Sequence, residues 1–184
     1  MRIAFLPLLV LFGACNDKGS DDSDDINYGP DDPDGIDVPL DAATVSHEQD
    51  LSEGSSIDLA FAEQIYCFPA TENANFNGSH VFIEHTQNAN ENVTIVVNPE
   101  KGVDVSLYVV QLDVDSTDLP PNITGGGGVS CESAYDQVAD SNPGEPEGLV
   151  MTAWTDSYRL IIGVAGANNL ESGAFKVDIW DGEP

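Results

Sequence analysis

Positive charge is almost missing from this chain. Five Lys and Arg stand against 33 Asp and Glu in 184 residues, a formal net charge of −28. Ten of the acids fall between Asp17 and Asp41, and from Thr44 onward only Lys101, Arg159 and Lys176 offset the other 23. Such a surface repels phosphate backbones and anionic headgroups, so nucleic acid is excluded as a partner. Cations, cationic partners and neutral glycans stay open, as does plain solubility in a salty medium where ions screen the self-repulsion. Long apolar runs are also lacking. None approaches the ~20 residues that a membrane-spanning helix needs, and no stretch of ten or more carries a 3.6-residue apolar stripe.

The longest apolar run is N-terminal. Arg2 precedes the ten residues Ile3 to Phe12, interrupted only by Pro7, the pattern of a cleaved signal peptide over residues 1–14. Phe12-Gly13-Ala14-Cys15 resembles the lipobox of bacterial lipoproteins, with Phe12 where Leu is commonest. The resemblance implies acylation of Cys15 and a protein held to the membrane by its N-terminal lipid. Two or more acyl chains anchor firmly where one is marginal. Asn16, rather than Asp, follows the cysteine, which points to the outer membrane of the cell envelope.

Residues 15–43 then form a lipidated N-terminus and a tether. Asp21-Asp22-Ser23-Asp24-Asp25 and Pro30-Asp31-Asp32-Pro33-Asp34-Gly35 hold few core-forming side chains, so the segment is expected to stay disordered and extended. Its contour is at most roughly 90 Å, and a flexible coil of that length spans about 30 Å. Cysteine is scarce as well. Setting Cys15 aside leaves Cys67 and Cys131, which in an oxidising compartment are most simply one disulfide. It would close a loop of roughly 65 residues and contribute about 4 kcal/mol in the chain-entropy picture.

From Thr44 to Pro184 the pattern becomes period-two alternation. Ile57, Leu59 and Phe61 share one face, as do Val93, Ile95 and Val97, and Phe175, Val177 and Ile179. These read as half-buried strands. Val103 to Leu112 and Tyr158 to Ala165 are apolar on both faces, as central strands with a covered second side would be. The fold class expected is all-β, an antiparallel sandwich. The stretch 113–148, with Pro120-Pro121, Gly125 to Gly128, Pro143 and Pro146, breaks the rhythm and is expected to be one long loop with a short strand near Val129 to Glu132.

Two segments resemble the bacterial pre-peptidase C-terminal domain, a jelly-roll-like β-sandwich. One is Asn92 to Val110, whose Asp104-Val105-Ser106-Leu107-Tyr108 takes the place of that family's Asp-Leu-Tyr-Leu strand; the other is Tyr158 to Ile179 around a Gly-rich turn. His80-Val81-Phe82 would be the earlier aromatic strand. The similarity covers about 100 of the residues after Thr44 and implies a non-catalytic appendage, in some members binding calcium or polymers. The Cys67/Cys131 pair and the long loop depart from the usual module.

Chemistry-bearing motifs are sparse. His80 and Glu84 would share one strand face and His85 the other, a spacing that does not make a zinc helix, so a solvated strand face is the expectation. Ser130 has no base nearby in sequence, and Gly125 to Gly128 lacks the lysine of a phosphate loop. Calcium is the best small-ligand idea, through Asp113, Asp115 and Asp118, with Asp32, Asp34 and Asp37 a fainter candidate; exposed acidic turns are the alternative. Trp154 and Trp180, expected on strands, and Tyr158 could stack on sugar rings or simply pack in the core. The sequons at Asn77, Asn92 and Asn122 are read as incidental. The function expected is an envelope-tethered, non-catalytic surface interaction or adhesion module for an envelope protein or polysaccharide. Calcium- or glycan-dependent binding, and an enzyme whose residues meet only in three dimensions, are the alternatives.

Overall fold

The computed structural model describes residues 43–58, 73–123, 129–131 and 144–182. They form eight strands: β1 (Val45–Asp50), β2 (His80–Gln87), β3 (Asn92–Pro99), β4 (Val105–Asp113), β5 (Val129–Cys131), β6 (Glu147–Thr152), β7 (Tyr158–Gly166) and β8 (Ala174–Asp181). One sheet runs β1-β8-β3-β6 and the other β2-β7-β4-β5, all antiparallel. First pairs with eighth, second with seventh, third with sixth and fourth with fifth. That nesting is a long two-stranded ribbon rolled on itself: the jelly roll.

The alternation read from the sequence decides which faces meet. Val93, Ile95 and Val97 of β3, Phe175, Val177 and Ile179 of β8, Val105, Leu107 and Val109 of β4, and Leu160, Ile162 and Val164 of β7 form one buried cluster between the sheets. β4 and β7 occupy the middle of their sheet and bury their other side too. Tyr108, Val110, Leu112, Ile161 and Ala165 pack with Phe76, and Ile57, Phe82 and Ile123 lean on them. Two-sided burial is why those strands carry no polar alternation. Gly163 is required here, because a Cβ at that position would sit 2.3 Å from the Tyr108 ring laid across it.

Two expectations need correction. Ser56 to Asp58 are not in a strand; Ser55 makes a single bridge to His80, and Ile57 packs on the outer face of the second sheet. Leu59 and Phe61 lie outside the described residues. The short strand expected near Val129 to Glu132 is β5, whereas the irregular stretch expected to run on to 148 ends earlier, since β6 already begins at Glu147.

Because β4, β5 and β6 alternate in direction, the two connections leave from opposite ends of the roll. At the terminal end, where β1 starts and β8 finishes, sit the 88–91 turn, residues 114–123 after β4 and the 153–157 turn. Ala153 N–H donates to the Glu91 carbonyl at 2.9 Å, Ala89 N–H to Ser157 Oγ at 3.1 Å and Gly182 N–H to the Asn92 carbonyl at 2.8 Å. At the distal end, Glu100 N–H donates to the Ala174 carbonyl, Leu51 N–H to Gly173 and Gly78 N–H to Gly166. No helix of the described residues is long and apolar enough to cross a membrane.

Candidate functional site

The outer face of β2 carries His80, Phe82, Glu84 and Thr86 in alternation, running from the distal toward the terminal end. Its two halves differ. His80 is 2 % exposed, held under Phe76 and against the Phe82 and Tyr108 rings. Its Nε2 lies 2.7 Å from the Phe76 carbonyl, which can only accept, so that nitrogen carries the proton. Nδ1 of the neutral ring is then the acceptor, and the Tyr108 hydroxyl donates to it at 2.8 Å. Burial pushes the imidazole down to about 4 and raises the Tyr108 phenol. Both groups are neutral at physiological pH, and both ring nitrogens of His80 are engaged. The solvated face expected for His80 is therefore a sealed one.

Four residues on, the same face is open. The Arg159 guanidinium donates to both Glu84 carboxylate oxygens through Nε and Nη2, and through Nη1 to the Asp118 carbonyl at 2.9 Å. Arg159 reaches Glu84 diagonally across the β2–β7 ladder, since its direct partner is Thr86. Glu84, His85, Thr86, Val114 and Arg159 line a pocket of about 230 Å³. Burial lowers the pKa of His85, opposed by the nearby Asp181 and Glu91 carboxylates.

This pocket belongs to the terminal end, and so do the exposed apolar side chains. Among the described residues the exposed large hydrophobics are Val45, Val114, Leu119 and Trp154. Val45 opens β1, Val114 and Leu119 lie in the β4–β5 connection, and Trp154 sits in the bend after β6. Trp154 is the most exposed, at 78 %.

Several expected site residues fall elsewhere. Trp180 is on β8 but 1 % exposed, so it cannot stack on a ligand. Trp154 is beyond β6 rather than on a strand, which is what leaves its ring in solvent. Tyr158 opens β7 half-buried and packs against the inter-sheet core. Asp113, Asp115 and Asp118 do not converge: no group of three or more His, Cys, Asp or Glu able to hold a metal occurs among the described residues. The Asp118 backbone N–H donates to Ser116 Oγ, and its carbonyl accepts from Arg159 Nη1. Cys15, Asp32, Asp34, Asp37, Cys67 and Gly125 to Gly128 lie outside the described residues, and Cys131 enters by its backbone alone, opposite Tyr108 on β5. The Arg159–Glu84 fork was not anticipated; the one signal for it was that Arg159 is the single arginine after Thr44. No protein-family model matches the chain, and no curated protein matches it.

Proposed function

We propose that this is a lipid-anchored protein of the bacterial cell envelope, probing its surroundings with a non-catalytic jelly roll whose terminal end engages a partner. The observation that carries this reading is the gathering of every exposed large hydrophobic among the described residues at that one end. Exposed apolar side chains that gather into one patch rimmed by polar groups mark interaction surfaces. The signal-peptide pattern, the Phe12-Gly13-Ala14-Cys15 motif and the acidic tether of residues 16–43 support the anchor. The similarity of 92–110 and 158–179 to the pre-peptidase C-terminal domain supports an accessory, non-catalytic role. Attachment at Cys15 with a tether of about 30 Å leaves the domain free to turn its terminal end to a partner.

The test has two parts. Mass spectrometry of the protein from its native membrane should find acyl chains on Cys15 and residues 1–14 removed. Binding of the full mature chain to arrays of envelope glycans and proteins should then yield a ligand. Trp154→Ala combined with Leu119→Ser should weaken it by roughly tenfold or more, about 1.4 kcal/mol, whereas Glu171→Gln at the distal end should not. Silence on the arrays, or equal binding by all variants, would defeat the reading.

A further inference from the structure

We propose that the pocket lined by Glu84, His85, Thr86, Val114 and Arg159 is a subsite for one neutral sugar residue of a polysaccharide. The proposal deepens the reading of the terminal end as the binding end and rests on it. Size is the first argument. At about 230 Å³ the pocket falls below the ~300–1,000 Å³ typical of whole drug-sized ligands, so it holds a single ring of a longer ligand.

The second argument is the lining. Arg159 is only 15 % exposed in its side chain, and the Asp118 carbonyl and both Glu84 oxygens hold its fork in place. Each of its nitrogens makes one of these bonds, and the terminal Nη groups keep a further N–H each. Glu84, 56 % exposed, keeps unused lone pairs, and the exposed Thr86 hydroxyl both donates and accepts. Fixed donors therefore stand beside fixed acceptors, with the Val114 side chain as an apolar wall. Neighbouring hydroxyls of a sugar donate and accept in turn, and the C–H face of the ring is apolar.

Charge narrows the class. The guanidinium is already neutralised by Glu84, and a chain of net charge −28 repels an anion. A cation gains little from a carboxylate that Arg159 has already compensated. A neutral polyol suffers neither penalty.

The test is nuclear magnetic resonance of the isotopically labelled full mature chain in detergent, titrated separately with neutral hexose oligosaccharides, a uronic-acid oligosaccharide and a lysine-rich peptide. A neutral oligosaccharide should shift the amides of Thr86 and Val114 and the Arg159 Nε–H. Arg159→Lys, which loses the two-pronged geometry, and Thr86→Ala, whose side chain is exposed and which leaves the fold intact, should each weaken it several-fold to about tenfold. Glu171→Gln should bind as wild type. Shifts at these groups from none of the neutral probes, stronger shifts from the uronate or the peptide, or undiminished binding by Thr86→Ala would overturn the proposal. If the array ligand is lost with Trp154→Ala but not with Thr86→Ala, the subsite fails while the terminal end survives as the binding end. If no ligand touches the terminal end, both fail.

Discussion

His80 and Glu84 stand on the same face of the same strand, one helical-turn's worth of sequence apart, yet one is sealed and the other lies open beside a pocket. What separates them is cover. Phe76, Ile57 and the Tyr108 ring close over the distal half of the sheet, and every polar atom of His80 is spent inside the fold. Among the described residues nothing of that kind closes over Glu84, and the polar groups of Glu84, Thr86 and Arg159 keep bonding capacity to spare. The covered half stabilises; the open half is where a ligand can gain contacts. A polar residue on a β-strand declares its role only through what lies above it.

The largest effect should come from emptying the covered half. Tyr108→Ala removes a fully buried ring and orphans His80 Nδ1, and should cost about 3–5 kcal/mol, read as the shift in chemical denaturation midpoint. Acid should act on the same spot. In the unfolded chain His80 takes up its proton near 6.5, whereas in the fold it resists until about 4. Its contribution is thus complete above pH 6.5 and drains away as pH falls toward about 4, by about 3 kcal/mol in total. His80→Gln should flatten the stability profile over that interval relative to wild type; parallel profiles would show that the histidine is not the group being titrated. Tyr108→Phe, which deletes one buried hydrogen bond and keeps the ring, should cost about 1–3 kcal/mol.

The open half should respond weakly. Glu84→Gln breaks a half-exposed ion pair and should change stability by less than about 1 kcal/mol. Trp154→Ala, at 78 % exposure, should change it by less than about 0.5 kcal/mol. A collapse of the melting temperature in either variant would mean that the terminal end is structural after all, and the contrast between the two halves would be lost.

How much of this was visible in the residues follows the same logic. β3, β4, β7 and β8 were legible because they are central: alternation or double-sided apolarity is imposed by the covers above and below them. β1 and β6 were not, because they are the two edges of their sheet. Val45–Asp50 keeps all six of its residues at least partly in solvent, and Glu147-Gly148 opens β6 with two residues that no strand pattern demands. The jelly-roll nesting pairs segments as far apart as β1 and β8, and no local pattern encodes that. For the same reason the sequence hid the Arg159–Glu84 fork, which exists only once β2 lies beside β7. Trp180 misleads in the opposite direction: a strand aromatic looks like a stacking platform until burial is known.

The most direct measurement is amide hydrogen exchange of the full mature chain with and without a ligand identified on the envelope arrays. Slowed exchange should concentrate in 84–86, 114–119 and 153–157, with 100–104 and 167–173 unchanged. Protection confined to the distal turns, or none at either end, would contradict the placement of the binding surface at the terminal end.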